Sequence, residues 1–190
     1  MTGSGPGNNR SGCRDTGCSL TGQDDLEMSD TASHQRFMLE ALAEARVAAA
    51  LGEVPVGAVV VANGEVLARA HNRRLLDKDP TAHAELLAMR AAAALLGDWR
   101  LDACTVYVTL EPCPMCAGAM VLGRVGACVY GCADPKGGFL GTLADLSAHP
   151  GLNHRFPVVA GVESEACAGI LRAFFRDLRM VRRRAAGSSG

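Results

Sequence analysis

The chain has 190 residues, 48% of them hydrophobic, and a formal net charge of -1. This length and apolar content suit one ordinary domain with tails. No apolar run approaches the roughly 18 residues that a membrane span needs, and the N-terminus lacks an apolar signal segment, so we expect a cytoplasmic protein with no membrane contact. Eight cysteines in such a chain indicate metal or redox chemistry rather than a disulfide framework.

The two ends of the chain differ from its middle. Residues 1–30 are rich in Gly, Ser, Asn, Asp and Thr and cannot bury enough apolar surface to offset their ordering entropy, so we expect a disordered extension there. A folded domain is expected over residues 31–184, followed by a flexible tail over 185–190. Within residues 171–184, six arginines accompany a single aspartate. This basic stripe fits either RNA binding or a solvated helix face.

The first predicted elements are a helix and a hairpin. Apolar residues recur at helical spacing over residues 31–51, which predicts an amphipathic helix. Two apolar runs then flank Asn63-Gly64, a dipeptide that tolerates positive φ and favours a type I′ turn. We therefore expect a β-hairpin over residues 54–72.

The rest of the domain alternates helices and strands. A helix rich in alanine and leucine is predicted from residue 81 or 82 to Gly97, which can stop it. The later predicted elements are a strand over 104–110, a helix over 113–123, a strand over 125–131, a long connection over 132–156 and a helix from residue 163. Because a strand, a helix and a strand in succession favour parallel pairing, the pattern predicts a three-layer α/β/α domain on a mixed sheet.

Two cysteines at the start of a predicted helix indicate a metal site. Cys113 and Cys116 are three residues apart in "PCPMC", so their sulfurs lie on one side of the helix, where unpaired N–H groups favour thiolate. His83, in "PTAHAE", begins another predicted helix and offers a third ligand. Three protein ligands and a fourth position for water are typical of catalytic zinc. Glu85 lies where it can exchange protons with that water.

These motifs resemble those of a known family. "HAE" followed by "PCPMC" matches the H-x-E and P-C-x-x-C signature of zinc-dependent nucleobase deaminases. "EVPVGAV", "DPTAHAE", "YVTLEPCPMCAGAM", "DPKGG", "NHR" and "FFR" resemble the bacterial tRNA-specific adenosine deaminases, the TadA group, over residues 38–181. The resemblance implies a cytidine-deaminase-like fold, one zinc ion per subunit held by His83, Cys113 and Cys116, and Glu85 as the proton shuttle. It also implies that the wobble adenosine of a tRNA anticodon is converted to inosine, with water as co-substrate and no organic cofactor.

The same resemblance implies a homodimer and a set of RNA contacts. Phe174 is expected in the core and its neighbour Phe175 toward a groove, because adjacent helical residues diverge by about 100 degrees. The candidate substrate-binding residues are Asn72, Arg73, Asp134, Lys136, Asn153, Phe175 and Arg176. Three apolar residues fit either a subunit contact or core packing: Ala117, Met120 and Val121.

Three other functions stay open at this point. The zinc signature also suits a deaminase of a free nucleobase or nucleoside of the guanine or cytosine type. A thiol-disulfide oxidoreductase would use Cys113 and Cys116, although Pro114-Met115 is not the usual pair between redox thiols. A structural zinc site would need a fourth ligand, and the other domain cysteines fit better as small buried hydrophobes: Cys104, Cys128 and Cys132.

Overall fold

The computed structural model describes residues 21–187, and it describes side-chain surroundings for residues 31–184. The helices and strands of the described residues are, in chain order, α1 (Thr21–Ala50), β1 (Gly57–Ala62), β2 (Glu65–His71), α2 (Ala84–Leu96), β3 (Thr105–Leu110), α3 (Pro114–Leu122), β4 (Ala127–Cys132), β5 (Val158–Ala160) and α4 (Ser164–Gly187). Within this part of the chain, every helix is too short or too polar to cross a membrane.

The strands form one mixed sheet in the order β2-β1-β3-β4-β5. β1 pairs antiparallel with β2 and β3, whereas β3 with β4 and β4 with β5 are parallel. The parallel pair β3 and β4 is connected through α3, as predicted. β5 was not predicted, because three residues are too few to show a strand period.

The hairpin turn has the predicted conformation. Asn63 has φ 52° and Gly64 has φ 75°, so both central residues adopt the positive φ that a type I′ turn requires. A register shift between Val60 and Val61 adds a bulge to the strand pair. The turn therefore reverses the chain where the dipeptide indicated.

Helices cover both faces of the sheet, which confirms the three-layer architecture. Alternate residues of β1 enter two different cores: Val60 joins the core that contains α2 and α3, and Val59 and Val61 join the core beside α1. Every residue of β1 is consequently buried. Cys104, Cys128 and Cys132 are buried as well, in agreement with their interpretation as small hydrophobes.

The first and last helices extend past the predicted bounds of the domain. α1 begins at Thr21, inside the segment expected to be disordered, because a helix once nucleated gains one hydrogen bond for each added residue. The expectation for residues 1–20 lies outside the described residues. α4 continues to Gly187 and so enters the predicted tail. α2 and α3 each begin one residue beyond a predicted metal ligand.

Candidate metal centre and substrate cavity

Two helix starts bring the predicted metal ligands together. His83 is the N-cap residue of α2 and Cys113 is the N-cap residue of α3, both in extended conformation and neither capping its helix with its side chain. Pro114 occupies the first turn of α3, where its missing N–H costs no hydrogen bond. Cys116 follows within that turn. The two cap side chains and Cys116 therefore project toward one point between the helices.

The three donor atoms form a nearly equilateral triangle. The Nδ1 atom of His83 lies 3.7 Å from Cys113 Sγ and 3.6 Å from Cys116 Sγ, and the two sulfurs are 3.7 Å apart. The interaction with the Cys116 side chain, followed by the contact with His83, lowers the pKa of Cys113 to about 4. The same partnership and burial raise the pKa of Cys116. These atoms form a group that can hold a metal ion.

Glu85 lies beside this group without belonging to it. It is in the first turn of α2 and only 4% exposed. Burial raises the pKa of its carboxyl group, because the charged form loses its hydration. A carboxyl group in such surroundings can hold a proton and return it.

Two of the candidate metal ligands, His83 and Cys113, line a small cavity of about 130 Å³ together with Glu85. Two predicted substrate-binding residues, Asn72 and Asp134, line the same cavity, as does Arg74. The apolar part of its wall comes from Val54, Val56 and Leu110. This volume suits one planar base rather than a larger ligand.

A wider groove of about 1150 Å³ adjoins the cavity and shares Val54, Leu110 and Asp134 with it. Predicted residues Lys136, Phe175 and Arg176 line the groove, and α4 adds Arg172 and Arg179. Phe175 is 40% exposed, whereas Phe174 is half-buried and packs edge to face against it at 5.4 Å between ring centroids. The groove combines positive charge with one accessible aromatic ring.

In the part of the chain that the structure describes, two of the predicted substrate-binding residues line neither the cavity nor the groove. Arg73 donates to both oxygens of Asp77 at 2.9 and 2.8 Å, which keeps its guanidinium at the surface. Asn153 is exposed, and its backbone carbonyl accepts a hydrogen bond from Arg124 at 2.6 Å. Ala117, Met120 and Val121 are buried in the core, which leaves core packing as their role in the monomer.

Two buried carboxylates that were not predicted from the sequence support the site. Glu53 is 1% exposed and Glu111 is 2% exposed. Glu53 accepts hydrogen bonds from the side chain of Asn72 and from two backbone N–H groups. The available signal was a lone Glu between apolar residues in "GEVPV" and in "TLEPC", where an unpaired charge would be costly.

Glu111 lines the cavity and organises the loop at 134–142, which includes Asp134, a residue that the cavity and the groove share. The Glu111 carboxylate accepts from the backbone N–H groups of Asp134, Leu140 and Thr142 at 3.0 to 3.1 Å, and from the Thr142 hydroxyl. Burial alone would raise the pKa of Glu111, but these donors outweigh burial and lower it. A Cβ atom at Gly138 would collide with this carboxylate, which explains why the second glycine of "DPKGG" has no side chain.

Known proteins share this arrangement of helices and strands. The family model described as MafB19-like deaminase matches residues 32–179. The tRNA-specific adenosine deaminase of Bacillus subtilis (strain 168) is 55% identical over 143 residues, which cover 75% of this chain and 89% of that protein. A solved structure from work on A-to-I editing by tRNA:A34 deaminases at the wobble position of transfer RNA is 43% identical, with a TM-score of 0.70. It covers 72% of this chain and 99% of that one.

A solved guanine deaminase from Bacillus subtilis is also similar. It is 31% identical with a TM-score of 0.52, and the match covers 77% of this chain and 93% of that one. These similarities confirm the cytidine-deaminase-like fold expected from the motifs. The chain belongs to the deaminase family that includes the bacterial tRNA-specific adenosine deaminases.

Proposed function

We propose that this protein is a zinc-dependent hydrolase that converts the wobble adenosine of a tRNA anticodon loop to inosine and releases ammonia. The observation that carries the proposal is a metal-ligand triangle and a buried carboxyl group in a base-sized cavity that opens beside a basic groove. The relative that is 55% identical bears the name of this activity. A tRNA substrate also implies a cytoplasmic location, where free thiols stay reduced.

Zinc is the metal that fits the donor set best. A tetrahedral ion with Zn–S bonds of about 2.3 Å and a Zn–N bond of about 2.0–2.1 Å requires about 3.8 Å between sulfurs and about 3.6 Å between sulfur and nitrogen. The corresponding distances in this protein are 3.7 Å, and 3.6 and 3.7 Å. A redox pair of thiols would not need an imidazole equally close to both sulfurs. His83, Cys113 and Cys116 would thus hold one zinc ion.

When bound, zinc supplies an activated water molecule as the nucleophile. Glu85 accepts a proton from that water and delivers a proton to N1 of the adenine ring, which makes C6 susceptible to attack. After the attack, Glu85 takes the remaining proton of the hydroxyl group now on C6 and passes it to the departing amine, which leaves as ammonia. Its burial beside the candidate metal ligands suits this work, because burial raises the pKa of the carboxyl group and so makes it a better proton acceptor than a solvated carboxylate.

The groove supports an RNA substrate. Its cations can neutralise phosphates on either side of the flipped base, and Phe175 offers a ring on which a neighbouring base can stack. Asp134 lines both spaces and is suited to contact the nucleotide at their junction. Asn72 is assigned to the reacting nucleoside, Lys136 and Arg176 to flanking phosphates, and Arg73 and Asn153 to contacts farther from the cavity.

Deamination of a free purine is the second candidate, favoured by the similarity to the solved guanine deaminase. An anticodon stem-loop with adenosine at the wobble position should be compared with free guanine, adenosine and cytidine, using ammonia release and sequencing of the RNA. We expect turnover of the stem-loop only. Turnover confined to the free compounds would overturn the tRNA proposal.

The proposal includes a homodimer. A hydrogen bond from Leu101 N to Gly123 O, at 2.8 Å, holds the segment after α2 beside the end of α3. The exposed apolar side chains of Leu95, Trp99 and Leu122 lie at this end of the domain. Light scattering should give the mass of a dimer for the unaltered protein and of a monomer for Leu122→Glu, whereas a monomeric unaltered protein would contradict this part of the proposal.

A further inference from the structure

Asn72 enters the cavity from the end of β2 with a fixed backbone. Its N–H donates to the carbonyl of Val56 at 3.0 Å, and its side chain is largely buried. An asparagine amide has a donor end and an acceptor end that occupy almost the same volume. Packing alone therefore leaves undecided which end faces the substrate.

Glu53 decides the orientation of that amide. Its Oε1 accepts hydrogen bonds from the backbone N–H groups of Leu75 at 2.6 Å and Leu76 at 2.8 Å, which fixes the rotation of the carboxylate. Its Oε2 is then directed at the Asn72 Nδ2, 3.1 Å away. An ionised carboxylate only accepts hydrogen bonds, so the donor end of Asn72 must face Glu53.

The acceptor end of Asn72 is left for the ligand. Among the residues whose side chains the structure describes, none donates a hydrogen bond to Asn72 Oδ1, and this oxygen is not one of the atoms sealed from solvent without a partner. Asn72 also lines the cavity together with Glu85 and Cys113. The cavity wall at this point consequently presents a hydrogen-bond acceptor.

We infer that Glu53 is a positioning residue that sets the hydrogen-bonding polarity of Asn72, so that the cavity selects a substrate nucleoside with a donor group at this position. The inference rests on the proposed function, since it takes the substrate to bind beside Asn72. Glu53 does not line the cavity. Its effect on specificity passes entirely through the amide that it orients.

Glu53→Gln tests the inference because it replaces one acceptor oxygen of the Glu53 side chain by a donor NH2 group while the side chain keeps its shape. The glutamine oxygen should stay on the two backbone N–H groups, since the opposite orientation would leave both without an acceptor. The glutamine NH2 group would then face Asn72 and turn its amide by 180 degrees, so that a donor faces the cavity. We expect kcat/KM on the stem-loop to fall about 10- to 100-fold, with unfolding midpoint and zinc content unchanged.

The double variant Glu53→Gln, Asn72→Asp distinguishes orientation from general damage. The aspartate would accept from the glutamine NH2 group and again present an acceptor to the cavity. We expect it to recover at least about 5-fold in kcat/KM over Glu53→Gln. Glu40→Gln, which alters an exposed carboxylate of α1 that accepts from Arg69 of β2, should match the unaltered protein.

Hydrogen exchange of the Asn72 side-chain amide, followed by NMR, gives a readout that needs no turnover. In the unaltered protein the Nδ2 hydrogen bonded to Glu53 should exchange slowly, and in Glu53→Gln this protection should be lost. Unchanged exchange, or a double variant no more active than Glu53→Gln, would overturn the inference. Failure of the unaltered protein to deaminate the stem-loop would instead overturn the proposed function, while the exchange result would still decide the orientation.

Discussion

The cavity and the groove lie side by side and are built in opposite ways. The backbone and burial fix the cavity residues: His83 and Cys113 occupy the N-cap positions of two helices, and Glu85 is almost completely enclosed. Groove residues are long and accessible, as Arg176 and Arg179 on α4 illustrate. The two regions share the wall around Asp134.

This difference suits the cavity to catalysis and the groove to positioning of the RNA. Catalytic groups must keep their mutual geometry to within a fraction of an ångström, which a packed interior provides. Phosphate contacts only position the RNA, and they tolerate flexible cations at a solvated surface. Variants of the cavity should therefore change kcat, and variants of the groove should change KM and its dependence on salt.

The largest effect is expected for Cys116→Ser. This change removes one of two sulfurs from the donor triangle, and a neutral hydroxyl is a poor ligand for zinc. We expect the purified protein to lose its zinc and all detectable ammonia release. Elemental analysis measures the metal, and Cys104→Ala, a buried cysteine outside the site, should keep both. A zinc-loaded, active Cys116→Ser protein would contradict the assignment.

Glu85→Gln is expected to have the next largest effect. It keeps the shape of the side chain but cannot carry a proton between water and base, so kcat should fall about 10²- to 10⁴-fold. Zinc content and stem-loop affinity should stay unchanged, because Glu85 is outside the donor triangle. Single-turnover kinetics with fluorescence anisotropy measures the two quantities separately, and an unaltered kcat would remove Glu85 from the mechanism.

Glu111→Ala should affect stability more than chemistry. Four donors from the loop at 134–142 would lose their shared acceptor, which should lower the free energy of unfolding by about 2–4 kcal/mol. Urea unfolding measures this change. Glu40→Gln, an exposed control, should change it by less than about 0.5 kcal/mol. Equal stabilities would show that the loop does not depend on Glu111.

The smallest effect is expected in the groove, for Arg179→Gln. Among the ion pairs of the described residues, none involves Arg179, so its charge is available to a phosphate. Affinity for the stem-loop should fall a few-fold and the slope of log Kd against log salt should decrease by about 1, with kcat unchanged. Arg100→Gln, whose parent residue pairs with Asp102, serves as the control. An unchanged slope would remove Arg179 from the interface.

Local chemistry made much of the site predictable. The spacing of Cys113 and Cys116 requires no knowledge of the fold, because one helical turn places residues i and i+3 on the same side. The Asn63-Gly64 turn and the Gly97 stop are equally local, and both conformations are observed. Functions of single exposed residues were harder to predict: Arg73 and Arg74 are neighbours in sequence, but only Arg74 lines the cavity.

The amino-acid sequence by itself determined the alternation of helices and strands and indicated His83, Cys113 and Cys116 as candidate metal ligands, because helical periodicity and the H-x-E and C-x-x-C spacings lie within one or two turns of chain. Only the tertiary structure decided that Glu53 orients Asn72, that Glu111 anchors a loop more than twenty residues away, and that Asp134 joins cavity to groove. Those relations are contacts between distant segments. Their geometry arises when the sheet brings the ends of its strands together, and no periodicity along the chain encodes it.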